Sequence, residues 1–151
     1  MLQVRPYVPS DRAFILSLAP RLKIGKQPWR DDELWLRTVE GWLVGSTDED
    51  NQATTVFIAQ DEQGVPLGFA TASHSKHFTG QPQAYIGELA TSTAAEGRGV
   101  GTALVTACEQ WAREQGYKMI VLTTGAANAR ALHFYRHLGF QDEDVTLTKL
   151  L

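Results

Sequence analysis

Apolar positions change period several times along the chain, and the changes divide it into ten elements. Leu2, Val4 and Pro6 alternate with Gln3 and Arg5, which predicts an opening strand that lies at an edge or ends at Pro6. Phe14, Ile15 and Leu18 share one helical face, with Ser10 or Asp11 as the cap. Pro20 to Pro28 reads as a loop that holds Arg21, Lys23 and Lys26. A second helix begins in the acidic turn Asp31, Asp32, Glu33 and is expected to face Trp35, Val39, Trp42 and Leu43 inward. Gly45 to Gln52 is a polar surface loop.

Thr54 to Gln60 has high β propensity, and the turn Asp61-Glu62-Gln63-Gly64 sends Val65 to His74 back antiparallel as a hairpin. Ser75 to Gln83, with Gly80 and Pro82, is a second connection before an apolar strand, Ala84 to Thr91. Val100, Ala103, Leu104, Ala107, Cys108 and Trp111 then repeat at helical spacing, and Gly116 ends that helix. Met119 to Leu122 is a short apolar run suited to a buried parallel strand after a helical crossover. Asn128 caps a helix that turns Ala131, Leu132, Tyr135 and Leu138 inward, and Gly139-Phe140 stops it. Val145, Leu147 and Lys149 alternate with threonines and predict a last strand. The order β-α-α-β-β-β-α-β-α-β implies an α/β (α+β mixed-sheet) fold, antiparallel first and parallel at the fourth-to-fifth step, flanked by about four helices. A length of 151 residues suits one domain, residues 1–151.

Charge narrows the partners. A net charge of −3 with scattered Lys and Arg argues against a nucleic-acid groove. One cysteine excludes an internal disulfide and a cysteine metal cluster. No apolar run approaches the ~18 residues of a membrane span, and Met1-Leu-Gln-Val-Arg reads as no signal peptide, so a cytoplasmic location is expected.

The candidate chemistry lies around the third helix. Glu96-Gly97-Arg98-Gly99-Val100-Gly101 joins a strand to a helix, where free first-turn N–H groups and the helix dipole favour an anion. The spacing matches neither a P-loop nor Gly-x-Gly-x-x-Gly. Upstream, Glu88 is a carboxylate in an apolar strand, which must be hydrogen-bonded, open to a cleft or protonated. Such a group can take a proton from an amine, or it can be a strand residue that reaches solvent or pairs with a base. Gly87 beside it suggests a bulge, close packing, or a freed strand N–H able to bind an oxyanion. Cys108 reads as a core thiol, and His74 and His77 as solvated or substrate-facing, with no metal site. Trp29, Trp35 and Trp42 near Asp31, Asp32 and Glu33 read as a helix core face, with an amine pocket as the alternative.

Three stretches carry a resemblance. Leu2 to Asp11 has an Arg-Pro pair followed by Asp at the first helix. Tyr85 to Gly101 holds the strand and glycine loop. Asn128-Ala-Arg-Ala-Leu-His-Phe-Tyr-Arg-His-Leu-Gly-Phe140 is the most specific. Together they resemble the GNAT superfamily of acyl-CoA-dependent N-acyltransferases over nearly the whole chain, most weakly over residues 20–52. Glu96 departs from the family's preferred Gln or Arg, and Thr93 stands where proline is common. The resemblance implies acetyl-CoA as cosubstrate, without a metal. It implies coenzyme contacts from Leu89, Ala90 and Thr91 of the strand and from Glu96, Gly97, Arg98, Gly99, Val100, Gly101 and Thr102 of the loop and helix start. Asn128, Ala131 and Tyr135 complete that set. It assigns Glu88 as the base and Tyr135 as the acid that protonates the leaving thiolate. The implied acceptor is a small-molecule or peptide amine, with no nucleic-acid or membrane partner and with a homodimer left open. A non-catalytic acyl-CoA binding or sensing domain is the alternative, and a globular binding module without coenzyme is a third reading.

Overall fold

The strands pair in chain order. β1 (Gln3–Pro6), β2 (Thr54–Gln60), β3 (Pro66–Lys76) and β4 (Pro82–Thr91) are successive antiparallel neighbours, and β5 (Ile120–Val121) joins β4 in parallel. The structure, a computed structural model, describes all residues, Met1–Leu151. The helices are α1 (Arg12–Ser17), α2 (Asp32–Ser46), α3 (Val100–Glu114) and α4 (Ala129–His137).

Alternation along the strands supplies two cores. On β2, Val56 and Ile58 pack with Ile15, Leu18, Val39 and Leu43 of the first two helices and their flank, whereas Phe57 and Ala59 belong to the opposite face. That face packs Ala70, Ala72 and Ile86 against Val100, Leu104 and Cys108 of α3. The crossover through α3 makes the β4–β5 step parallel. Both α3 and α4 stop as expected. Gly116 (φ 86°) and Gly139 (φ 98°) take the left-handed conformation. The Gly139 N–H reaches the Arg136 carbonyl at 3.0 Å and the Phe140 N–H reaches that of Tyr135 at 3.0 Å, the paired bonds of a Schellman end.

Five expectations are corrected. Residues 141–151 form no strand, and Val145 and Leu147 lie 76% and 89% exposed. Alternating β-formers make a strand only where an edge accepts their backbone, and β5, two residues long, offers almost none. The fifth strand is itself shorter than Met119–Leu122, and the Pro20–Pro28 loop begins in a 3-10 turn, Ala19–Lys23. Trp42 is not in the core but 58% exposed. Asp11 does not cap α1 with its side chain. Its carboxylate, 4% exposed, accepts bidentate bonds from Arg5 Nη1 (2.7 Å) and Nη2 (2.8 Å) and a third from the Val8 N–H (2.9 Å). This pair ties β1 to the turn before α1. The expected acidic start of α2 does form: Asp31 Oδ1 accepts from the Leu34 N–H at 2.6 Å, and Asp32 pairs with Lys23 and Lys26.

Candidate active site

The site begins with an irregularity in β4. Ala70 pairs with Leu89 but Ala72 with Ile86, so Thr71 faces two residues, Gly87 and Glu88. This is the bulge expected at Gly87. A Cβ on Gly87 would lie 2.9 Å from Thr71 Oγ1, so only glycine allows the hydroxyl to come so close. That hydroxyl accepts the Glu88 N–H at 2.9 Å and donates to Glu88 Oε2. The bulge therefore leaves no free N–H at Glu88. The expectation of an oxyanion donor moves one residue on. The Ser92 N–H bonds the Leu67 carbonyl, and in that register Ala90 bonds Phe69, so the Leu89 and Thr91 N–H groups turn away from β3. They turn toward an open edge, because β4 and β5 pair only at Ala84–Ile120 and Tyr85–Val121.

Glu88 is half-buried and has no cationic partner. Burial pushes its carboxyl above the usual carboxylate range, and the Thr71 hydrogen bond partly opposes this. Thr71, 2% exposed, is the positioning residue that the strand pattern left unassigned. A hydroxyl in the apolar run Leu67–Ala72 was the available signal.

The open edge borders a cavity of about 840 Å³. Glu88, Leu89, Ala90 and Thr91 line it, as do Glu96, Gly97, Gly99, Val100, Gly101 and Thr102, together with Asn128, Ala131 and Tyr135. Gly97 (φ 76°) and Gly99 (φ 77°) are left-handed, and Gly99 is the N-cap of α3, so the first-turn N–H groups of this helix have no side-chain cap. Gly101 serves packing as well: a Cβ there would stand 3.1 Å from Phe134 Cζ on α4. Asn128 Oδ1 caps α4 through the Ala131 N–H at 3.2 Å, and its Nδ2 donates to the Ile24 carbonyl at 3.4 Å.

Arg98 is the expected site residue that the structure does not bring to the cavity. It borders a separate recess with Met1, Leu2 and Asp61-Glu62-Gln63. Two other arginines take its place. Arg21 pairs with Glu96 Oε1, and Arg130 approaches Glu96 Oε2 at 3.4 Å. Arg21 Nε also donates to the Thr91 carbonyl at 3.2 Å. The Arg21 hydrogen bond first, then Arg130, holds the Glu96 carboxyl below its usual range. The charge that looked out of place in the loop is thus compensated, by residues 75 positions upstream and 34 downstream, a pairing no local motif announces.

Tyr135 lines the same cavity, and its phenol stays neutral. Burial pushes it up to about 12, with the Cys108 thiol adding to the effect. Cys108 is fully buried and also raised to about 12, as fits a core thiol. Trp35, Val39, Trp42 and Tyr85 also line the cavity, so two of the three tryptophans reach it and Trp29 does not. Neither His74 nor His77 does. His74 bonds the Tyr117 hydroxyl and sits 5.2 Å from the Trp111 ring, and His77 Nδ1 shares a hydrogen bond with Thr79 at 2.7 Å.

Comparison with known proteins places the chain in a family. The chain is 30% identical over 113 residues to an uncharacterized N-acetyltransferase, MJ1207, of Methanocaldococcus jannaschii, covering 74% of this chain and 47% of that protein. It is 29% identical over 113 residues to a mycothiol acetyltransferase of Rhodococcus erythropolis, covering 74% and 36%. The chain thus spans less than half the length of these relatives. Among solved structures, the fold superposes on the aminoglycoside N-acetyltransferase AAC(6')-Iy in complex with CoA with a TM-score of 0.71 at 20% identity, over 100% of this chain and 95% of that one. On a mutant of the BH1408 protein from Bacillus halodurans it reaches a TM-score of 0.81 at 18% identity, over 99% of each chain. Residues 14–140 match the Acetyltransferase (GNAT) family, and the chain belongs to that family of acyltransferases.

Proposed function

We propose that the chain moves an acetyl group from acetyl-CoA to the primary amine of a small molecule by direct attack in a ternary complex. One observation carries this reading. Glu88, a half-buried carboxylate held by Thr71 with its pKa raised, lines the same cavity as Tyr135 and the glycine loop of α3. The donor set fits the coenzyme: two left-handed glycines before uncapped helix N–H groups suit a diphosphate, and the open β4 edge at Leu89 and Thr91 suits an amide-bearing arm. When bound, the coenzyme supplies the acetyl group as a thioester. Arg21 and Arg130, in place of Arg98, supply positive charge beside the loop. Glu88 takes the proton of the amine, which is protonated below pH ~10. The Leu89 N–H faces the charge that develops on the carbonyl oxygen. Tyr135 gives its proton to the departing thiolate, and the second proton of the nitrogen, lost as the amide forms, restores the phenol through solvent.

The test is thiol release from acetyl-CoA across a panel of amines. Release with at least one amine, at wild-type Glu88, is the expected result. Coenzyme binding with no release for any amine would establish the non-catalytic binding reading instead. Tyr135→Phe should lower kcat by about 10²-fold while coenzyme affinity stays within a factor of about two. An unchanged kcat would remove Tyr135 from proton transfer.

Glu96→Gln tests the loop separately. It takes away an anion beside the coenzyme's phosphates and releases two arginines, so calorimetry should show coenzyme A binding roughly three- to tenfold more tightly at low salt. Weaker binding would mean that Glu96 serves by holding the arginines in place.

A further inference from the structure

We infer that the acceptor is a primary monoamine on an aromatic or arylalkyl body, and that Trp42 and Trp35 read this body while Glu88 reads its single charge. The inference rests on the acetyl-transfer reading and concerns the aromatic and acidic lining of the same cavity.

Charge is the first argument. Of the residues that line the cavity, the ionisable acids and bases of ordinary charge are Arg21, Glu88, Glu96 and Arg130. Glu96 is already bound by both arginines. Glu88 is therefore the one carboxylate there without a cation. A guest with a single ammonium can be matched. A polyamine or an aminoglycoside would bring further ammonium groups that find no carboxylate, and desolvating an unmatched charge is costly. The acidic cluster Asp31, Asp32 and Glu33 gives no help. Asp31 caps α2, Asp32 holds Lys23 and Lys26, and none of the three lines the cavity.

Aromatic surface is the second. Trp35, Trp42 and Tyr85 line the cavity that Glu88 lines. Trp42 is 58% exposed, a large apolar side chain left in water at the border of a cavity, where a guest would cover it. The Trp35 indole N–H is buried without a hydrogen-bond partner, so packing alone sets the orientation of that ring. Indole faces also attract an ammonium, so the same walls suit both parts of an arylalkylamine.

The experiment uses phenethylamine, propylamine, spermidine and kanamycin, each in two assays. One is thiol release from acetyl-CoA. The other is tryptophan fluorescence titration of the protein saturated with coenzyme A, which reads binding without turnover. Phenethylamine should exceed propylamine in kcat/KM and in affinity by about tenfold, and should exceed spermidine and kanamycin by more. Trp42→Ala should bring the phenethylamine-to-propylamine ratio down toward one. Circular dichroism of this variant should match wild type, and Trp42→Phe should restore most of the ratio. Turnover of spermidine or kanamycin at or above the phenethylamine rate would overturn the inference and leave the acetyl-transfer reading standing. Phenethylamine binding with no thiol release would do the reverse. A ratio unchanged in Trp42→Ala would overturn the part assigned to the tryptophan.

Discussion

Glu88→Gln is expected to lower kcat/KM by about 10²-fold or more, the usual contribution of a positioned base. The amide keeps an oxygen for the Thr71 hydroxyl, so the bulge and the fold persist and the loss reports proton transfer. The pH profile sharpens the test. A base acts in its deprotonated form, and burial raises the Glu88 pKa, so kcat/KM should climb with pH through a midpoint above the ordinary carboxylate value. Tyr135, raised to about 12, remains protonated far beyond neutrality and should add no alkaline fall there. In Glu88→Gln the lower limb should vanish, leaving a rate that follows deprotonation of the free amine near pH ~10. Thr71→Val removes the hydrogen bond that pulls the Glu88 pKa down, so its limb should move to higher pH, and Thr71→Ser should move it back. A limb that stays in place in Thr71→Val would deny Thr71 its positioning role.

Asp11→Asn should have the largest effect on stability, because it breaks a nearly buried pair and leaves the Arg5 guanidinium without its anion. Arg5 is 29% exposed at its side chain, so water offsets part of the loss, and about 2–4 kcal/mol is expected in place of the full cost of a dry pair. That is a fall in Tm of roughly 5–12 °C for a domain of this size. The pH dependence has a definite sign. The Arg5 hydrogen bonds hold the folded Asp11 pKa below its usual value, with the Val8 N–H adding to this against burial. The stabilisation is therefore complete above the unfolded pKa of ~3.9 and is lost as pH falls through the folded one. The Tm gap between wild type and Asp11→Asn should be widest near neutrality and should shrink below pH ~4. A gap that is constant with pH would mean that the loss is one of packing.

Much of this was legible before the fold was known, for local reasons. Period-two and helical spacing located four of the five strands nearly in full, and all four helices, since burial of one face demands that spacing. Gly139, Asn128 and Gly87 announced a helix stop, a cap and a bulge because each backbone state admits few residues. The last strand was misjudged for the complementary reason: Val145 to Lys149 has the pattern but finds no neighbouring edge, and pairing is not a local property.

The strand–loop–helix order, the glycines at 97 and 99, and the carboxylate at 88 belong to the sequence alone, because short-range sterics and the hydrophobic pattern decide them. Only the tertiary structure decided what surrounds them. It set Thr71 on Glu88, put Arg21 and Arg130 on Glu96 while Arg98 turned elsewhere, and left Trp42 in water at the cavity. These contacts join residues 17 to 75 positions apart. Charge, burial and pKa are set by distance in space, and spacing along the chain carries no record of it.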